Sequence, residues 1–400
     1  MLRMREKIQS HFKWLALFFL TLCFFVSTIS VSATTVTYLC ALGCVLLSDD
    51  WHSRWQRIKT NPSALSFWLL FALFIIGIFY STSTTHLIWR DINKHHWLLA
   101  TPFLMIAIQE ERWRMRMINA FLIAMIITVA LAYAKYFFHF SIVTRHSNFP
   151  HLPDDMVFNS HIVQSFSMNI AAFICVYRML FEKKMRWLYV IFYILMAIDI
   201  LFLSKGRTGY LIFLLVLLYL GAIRFKLKGV LSACFLGFAL IITAYFSSAG
   251  FQMRVNALYD HSKNYANIER TTSVGQRIEM YHIAKTMIAK RPWFGYGTGG
   301  MQTELPKIVP AKDRRMNPNI GHVESIYLNF LISFGVVGLC VLLIALWMQI
   351  KFTFTLPHQY RCLMQVVLIS VFIGGVMNKF FLSFPITHLY SLFAAVCFGA

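Results

Sequence analysis

The sequence predicts an all-α polytopic membrane protein with about twelve transmembrane helices and one large outer loop. Hydrophobic residues make up 58% of the 400 residues and charged residues only 13%, whereas soluble domains contain about 25% charged residues. Apolar segments of about 17 to 25 residues, the length that crosses a bilayer as a helix, recur along the chain. Basic residues also cluster in alternate connections between these segments.

The predicted spans divide the chain into three parts. Residues 1–248 hold nine helices, residues 249–324 form the outer loop domain, and residues 325–400 hold three more helices. The segments 34–48 and 96–109 are short for a span, and the second contains Pro102. The predicted spans are 14–31, 34–48, 64–80, 96–109, 117–138, 160–180, 187–204, 208–223, 229–248, 325–350, 362–377 and 380–399.

The basic residues indicate the orientation. Nineteen Lys and Arg residues lie in the connections on one side, and seven lie in the short connections and helix ends on the other. Because short cytoplasmic loops are enriched in Lys and Arg, both termini are predicted to lie in the cytoplasm. Topology therefore explains most of the net charge of +21. The positive charges form loop clusters, not a stripe on a soluble face, which argues against nucleic acid as a partner.

The stretch LFLSKGRTGYLIFLL, residues 201–215, is an exception to the charge pattern. It predicts two spans that meet in a short hairpin on the outer side, with Lys205 and Arg207 between Gly206 and Gly209. Cations in a short outer loop are unexpected, because Lys and Arg are usually enriched in the short cytoplasmic loops. Lys205 and Arg207 are therefore candidate binding residues.

The outer loop contains the segment TTSVGQRIEMYHIAKTMIAKRPWFGYGTGGM, residues 271–301. Apolar residues at helical spacing predict an amphipathic helix with Arg277 near its start and Arg291 near its end. Pro292 and four following glycines end this helix in tight turns. The glycines could also cradle an anion through backbone amides, but turn formation is favoured because no Walker lysine pattern is present. Arg277 is either an exposed helix charge or a binding residue.

A polar cluster opens the late span in GHVESIYLNFLISFGVVGL, residues 321–339. His322 and Glu324 lie where the chain enters the bilayer from the outer side. An imidazole or a carboxylate there can accept a proton from a hydroxyl group. The alternative is helix capping, in which Glu324 or Ser325 bonds the free backbone amides of the first turn.

Four elements follow one another in the chain: SKGRTGY, the arginine at the head of the loop helix, RPWFGYGTG and H-x-E-S-x-Y-L. In their order and spacing they resemble the O-antigen ligase and polymerase superfamily. The resemblance covers about residues 200 to 340. It implies a GT-C-like glycosyltransferase of the bacterial inner membrane that acts at the periplasmic face, so the outer loop would be periplasmic. It also implies a donor in which a glycan is carried on undecaprenyl pyrophosphate.

The resemblance implies roles for the cations. Arg207 and Arg277 match arginines of the family and are expected to bind pyrophosphate and to act in catalysis, because guanidinium meets phosphate oxygens bidentately and stays protonated. Lys205, Arg291 and Tyr327 complete the predicted substrate-binding set.

The last of these elements, H-x-E-S-x-Y-L at residues 322–328, is called the late motif below, and it departs from the family pattern. The family usually has a His-Asn pair just before Tyr-Leu, whereas Glu324 occupies the usual histidine position here and His322 lies two residues earlier. Both are predicted to be catalytic and to share activation and orientation of the acceptor. Asp199 is a weaker candidate and equally fits a structural pair with Lys205 or Arg207. The polar segment 145–165 and three loop cations are also weaker candidates: Lys312, Arg314 and Arg315.

Three activities remain in competition. The ligase, which transfers the polysaccharide to a lipid A core or another glycan acceptor, is favoured over the polymerase of the same superfamily because the chain is compact and has one dominant late loop. A transporter or flippase is the more distant alternative and would show internal repeats and polar residues in mid-span. No cofactor and no metal are predicted, since the pyrophosphate leaving group supplies the energy and no acidic cluster is evident. The expected partners are the lipid-linked glycan, the acceptor and membrane lipids.

Overall fold

A computed structural model describes residues 2–48, 51–139, 156–182, 186–204, 206–247, 273–308 and 322–399. Within these ranges every regular element is a helix, which confirms the all-α prediction. The helices are α1 Leu2–Val26, α2 Val31–Leu47, α3 Trp51–Thr60, α4 Pro62–Ile76, α5 Thr85–Lys94, α6 His96–Ala107, α7 Glu111–Phe138, α8 His161–Phe181, α9 Arg186–Ile198, α10 Arg207–Ser247, α11 Ser273–Lys290, α12 Gly300–Ile308, α13 Ile326–Thr353, α14 His358–Met377 and α15 Phe384–Phe398. A π-helical turn, Asp199–Leu203, continues α9, and a 3-10 turn, Phe380–Leu382, precedes α15.

Seven helices among the described residues are long and apolar enough to cross a membrane. α2 and α3 bend by 113° and would add an eighth span if they form one broken span. α4 and α15 are apolar but have only 15 residues each. α6 has 12 residues and contains Pro102, as its short apolar run indicated. The protein is therefore a polytopic helical membrane protein, and the count of twelve spans stays a prediction.

The last helix forms the centre of the bundle. α15 is buried along almost its whole length and packs against α6, α14 and α8. α8 is the most buried of the seven long spans, with 83% of its apolar window inside the protein, against 17% for the span that includes α9. Its buried polar side chains Gln164, Ser165 and Asn169 are hydrogen-bonded within the bundle. The N-terminal helices and α9 consequently face outward over much of their surface.

Two sequence-predicted spans form the single long element α10. The predicted connection at residues 224–228 coincides with a break at Lys226, whose φ is 52°. Gly229 lies against the backbone of Gly221, and Gly237 lies against Leu214. The chain therefore reverses at Lys226 and returns along itself, and the absence of side chains on the two glycines permits this close approach.

The loop domain has a small core of its own. Ile283, Ala284 and Met287 of α11 are buried against Met301 and Leu305 of α12, and they join Val323 and Ile332 at the start of α13. This confirms the predicted amphipathic helix and its end before Pro292, although Tyr281 remains 38% exposed. The loop domain thus rests on the first turns of α13.

Candidate functional site

The segment of residues 292–299, called the glycine segment below, fastens the loop domain to the bundle. The amide of Tyr296 donates to the carbonyl of Ile332 at 3.0 Å, and the amide of Val336 donates to the carbonyl of Pro292 at 2.8 Å. These bonds form because α13 is broken at Gly335, where φ is 66°. A Cβ at Gly335 would lie 2.2 Å from the backbone of Trp293, so only glycine allows the two backbones to approach this closely.

The same segment also closes the end of α4. The amide of Thr298 donates to the carbonyl of Gly77 at 3.1 Å, and the Thr298 hydroxyl donates to the carbonyl of Phe74 at 2.5 Å. Gly295, Gly297 and Gly299 all have positive φ, near 70°. The glycines therefore form tight turns between α4 and α13, as predicted. The end of the bundle that carries this segment is called the loop end below.

Glu324 forms an ion pair at the loop end. Its Oε1 lies 2.7 Å from Nζ of Lys379, in the connection between α14 and the 3-10 turn, and its side chain is 25% exposed. Capping of α13 is performed by the next residue, since Ser325 Oγ accepts a hydrogen bond from the Leu328 amide. Asn329 bonds both backbone groups of Val323 and so fixes the turn between His322 and Glu324. The capping alternative therefore applies to Ser325, and Glu324 keeps its carboxylate for another role.

His322 contacts a different helix. Its Nε2 lies 3.2 Å from Nζ of Lys94, the last residue of α5. Burial, as the largest cause, and the nearby cations Lys94, Lys379 and Arg90 together lower the pKa of His322 to about 2. The imidazole is therefore neutral at physiological pH.

α5 and the residue that follows it, His95, supply four polar residues that the motifs did not indicate. Arg90 donates to Oε1 of Gln302 on α12. Oδ2 of Asp91 accepts a hydrogen bond of 2.9 Å from the Gly299 amide, while Nδ1 of His95 lies 2.8 Å from the carbonyl oxygen of Asp91. Burial lowers the pKa of both Lys94 and His95. α5 thus joins the glycine segment, α12 and the late motif in one cluster.

The SKGRTG hairpin approaches this cluster through its helix. Arg207 is the first residue of α10, and the next residue, Thr208, accepts a hydrogen bond of 2.9 Å from Nδ2 of Asn378. Asn378 directly precedes Lys379, the partner of Glu324. Asn378 and the adjacent Lys379 therefore link the start of α10 to the late motif. Lys205 and the side chain of Arg207 lie outside the described residues.

The remaining predicted residues are more scattered. Arg277 lies in the second turn of α11, half-buried, and forms no hydrogen bond or ion pair within the described ranges. Arg291 is exposed, with its guanidinium 5.0 Å from the ring centre of Tyr296. The Tyr327 hydroxyl donates to the carbonyl of Phe372 on α14 at 3.1 Å, which is a structural bond. Lys312, Arg314, Arg315 and residues 145–155 lie outside the described part of the chain.

Asp199 has a partner other than the one considered. It is fully buried on the π-helical turn, and its carboxylate accepts bonds of 3.3 and 3.4 Å from Gln164 of α8. Next to it, the hydroxyls of Ser165 and Ser204 are 2.7 Å apart, and a Cβ at Gly209 would lie 2.6 Å from Cβ of Ser165. These contacts hold the hairpin close against α8.

Sequence reasoning missed Arg90, Asp91, Lys94, Gln302 and Lys379. The charge pattern contained part of the information, because Arg90, Lys94 and Lys379 are basic residues on the predicted outer side, as Lys205 and Arg207 are. Among the described residues, no three His, Cys, Asp or Glu side chains lie close enough together to hold a metal ion. The metal-free mechanism stays a prediction.

Comparisons with known proteins locate the same region. Residues 191–344 match the family model described as O-antigen ligase. An uncharacterized protein of Haemophilus influenzae is 26% identical over 219 residues, which cover 51% of this chain and 54% of that protein. The chain thus spans about half the length of the curated relative it matches. The family match contains Arg207, Arg277 and the late motif, whereas α5 and Lys379 lie outside it.

Proposed function

Since the match at residues 191–344 confirms the resemblance to the O-antigen ligase superfamily, whose members are membrane enzymes that transfer glycosyl groups, we propose that this chain is an O-antigen ligase. It transfers a glycan from undecaprenyl pyrophosphate to a lipid A core at the periplasmic face of the bacterial inner membrane. The observation that supports this best is the meeting of both late-motif side chains with buried or half-buried cations at the loop end. The proposal includes a GT-C-like bundle of about twelve spans with both termini in the cytoplasm.

In this proposal, cationic side chains bind the pyrophosphate of the donor. Arg207 stands at the start of α10, where the free backbone amides of a helix N-terminus also favour an anion. Arg277 on α11 is half-buried and has no partner within the described ranges, so its guanidinium is available for phosphate oxygens. Lys379 pairs with Glu324 and is 43% exposed, so in this proposal it contributes charge to both Glu324 and the donor.

The transfer step needs a proton acceptor. The oxygen of the acceptor hydroxyl forms a bond to the anomeric carbon, whose bond to the pyrophosphate oxygen breaks. The bonding electron pair leaves with undecaprenyl pyrophosphate, and the hydroxyl proton passes to the carboxylate of Glu324 and then to solvent. Lys379, whose Nζ lies 2.7 Å from Oε1 of Glu324, holds the carboxylate in place before the proton arrives. His322 orients the reacting groups.

The ligase proposal is tested in a strain that lacks the gene. Loss of the long lipopolysaccharide ladder on a gel, with carrier-linked polymer accumulating, is the expected result, and the intact gene restores the ladder. Core carrying one repeat would identify a polymerase instead, and an unchanged ladder would overturn both assignments. A plasmid-borne Lys285→Met variant, altered at an exposed position of α11, serves as the control for expression.

A further inference from the structure

A cleft lies between α5, α12, α13 and the 3-10 turn. Its empty space, including the part open to solvent, is about 410 Å³, and its polar lining includes Asp91, His95, Gln302, His322 and Asn329. Two of these side chains, Gln302 and His322, each have one buried nitrogen atom without a hydrogen-bond partner among the described residues. An unpaired buried donor is unfavourable, so the cleft is suited to a ligand that supplies acceptor oxygens.

Arg90 fixes the orientation of the Gln302 amide. A guanidinium group has only donors, so the atom of Gln302 that it contacts must be the carbonyl oxygen Oε1. The amide nitrogen Nε2 therefore lies on the other side, and it is the unpaired atom. Gln302 is 7% exposed, and its helix is held beside α5 by a 2.7 Å hydrogen bond between the hydroxyls of Ser83 and Thr303. Its unpaired N–H group is thus buried and well positioned.

Lys94 fixes the tautomer of His322 in the same way. A protonated lysine has donors only, so the nitrogen 3.2 Å away, Nε2, must accept. In a neutral imidazole the proton then resides on Nδ1, which is the buried atom without a partner. Arg90 and Lys94 are one helical turn apart on α5. Two cations on one helix face therefore orient side chains from two different motifs.

We propose that Lys94 and Arg90 are positioning residues that aim Nδ1–H of His322 and Nε2–H of Gln302 at an acceptor oxygen of a bound substrate. This inference rests on the proposed glycosyl transfer, and it assigns His322 the role of a neutral donor and leaves Glu324 as the only proton acceptor of the late motif. The oxygen belongs either to a phosphoryl group of the donor or to a sugar of the acceptor.

The charges around His322 agree with this role. Arg90, Asp91 and Lys94 of α5 face it together with His95, which directly follows that helix. Lys379 faces it from beyond α14, and Glu324 is paired with Lys379. Among the described residues the cations outnumber the carboxylates, and Nδ1 of the imidazole is buried. Both conditions favour its neutral form, which is the form that can donate from Nδ1 while it accepts at Nε2.

The first test uses Gln302→Glu in full-length protein reconstituted with undecaprenyl-pyrophosphate-linked glycan and lipid A core. Glutamate keeps the shape of the side chain and the oxygen that Arg90 contacts, but it removes the N–H group. A purely structural glutamine would therefore tolerate the change, whereas a donor to substrate predicts a fall in kcat/KM of about tenfold or more. Gln359→Glu, in the first turn of α14 at the opposite end, is the matched control. Full activity of Gln302→Glu would overturn the proposal.

A second test replaces His322 by each amide residue. The side-chain nitrogen of asparagine falls near the position of Nδ1 and that of glutamine near Nε2, so a donor role predicts that His322→Asn retains several times more activity than His322→Gln. The reverse order, or equal and complete loss in both, would overturn the donor role. Lys94→Met is expected to lower activity, and Lys94→Arg is expected to restore most of it, because arginine also has only donors.

The KM values show which substrate carries the oxygen. A rise in KM for the lipid-linked donor in Gln302→Glu assigns the oxygen to its phosphoryl group, and a rise for the acceptor assigns it to an acceptor sugar. Unchanged values of KM and kcat for both substrates contradict the proposal. Failure of the proposed function looks different, since the wild-type protein itself would then transfer no glycan.

Discussion

Two groups of cations at opposite ends of the helical bundle differ in their partners, although Arg178 at the far end also contacts the side chains of Asn119 and Glu182. At the end opposite the glycine segment, Arg114 of α7 donates to the backbone carbonyls of Ile108, Gln109 and Gly399. Arg361 of α14 likewise donates to the carbonyl of Leu356. At the loop end, Lys94, Arg90 and Lys379 contact the side chains of His322, Gln302 and Glu324.

The difference separates structural cations from candidate functional ones. A carbonyl oxygen at a helix end needs a donor, and an arginine that supplies one closes the helix end and joins it to its neighbour. A histidine, an amide or a carboxylate that receives the donor is itself oriented, and its remaining polar atoms are free for a ligand. The partners of a cation therefore tell more about its role than its exposure does.

The largest expected effect is at Glu324. Glu324→Gln keeps the shape but removes the proton acceptor, so the rate of glycan transfer should fall by about 100-fold or more. Glu182→Gln is the matched change at the opposite end, where the carboxylate pairs with Arg178 at 3.6 Å, and it should leave the rate unchanged. Initial rates in the reconstituted assay measure both. Wild-type activity in Glu324→Gln would remove the carboxylate from the mechanism.

The break in α13 gives the second prediction. Gly335→Ala forces a side chain into positive φ and within 2.2 Å of the Trp293 backbone, so it should cost about 2 to 4 kcal/mol of unfolding free energy. Gly43→Ala, inside α2 where no atom lies within 4 Å of the new Cβ, should stabilise the protein by about 0.5 to 1 kcal/mol. Thermal unfolding in detergent compares them. Equal melting temperatures would show that the glycine segment does not fasten the loop domain.

Arg114 and Lys379 test the comparison directly. Arg114→Met leaves several buried carbonyls without a donor and should cost about 2 to 3 kcal/mol of stability while the folded enzyme keeps its specific activity. Lys379→Met breaks a half-exposed ion pair and should cost less than about 1 kcal/mol. Its specific activity should nevertheless fall, because Glu324 loses its partner. The opposite pattern would mean that the loop-end cations are structural.

The smallest expected effect is on the pH profile. With its pKa at about 2, His322 stays neutral throughout the assay range. The wild-type rate should therefore show no step near about pH 6.5, the ordinary pKa of histidine. Lys94→Met removes one of the cations that depress this pKa, so protonation should occur at higher pH and the acid loss of activity should move upward. A wild-type step near that pH which disappears in His322→Asn would contradict this assignment.

The sequence predicted the local features of the site better than its assembly. The loop helix α11 follows from apolar spacing and a proline stop, and the cap of α13 follows from a serine before an apolar run. The break at Gly335 does not follow, because SFGVVGL reads as a continuous span and only contact with Trp293 makes the glycine necessary. The ion pair of Glu324 with Lys379 joins residues far apart in sequence, and no local pattern reports it.

The sequence contained a signal for the functional candidates in α5, but this signal was not sufficient to identify them. Its ten residues, THLIWRDINK, lie between two apolar runs and look like an ordinary connection. Arg90 and Lys94 are exceptions to the charge bias of the same kind as Lys205 and Arg207. Applied to all of the outer cations, that argument would have selected α5 and Lys379 as well. The choice between structural and functional cations still depends on their partners, which only the folded chain provides.

The contact of Lys94 with His322 also has a consequence for biosynthesis. The two residues are 228 positions apart in the chain, and a ribosome adds roughly 5 to 20 residues per second. His322, the partner of Lys94, is therefore synthesised about 10 to 50 s after Lys94, and Lys379 is synthesised later still. During this interval Lys94 and Arg90 lack the side-chain partners that they contact in the folded chain. The cluster at the loop end is therefore complete only after His322 and Lys379 have been added to the chain.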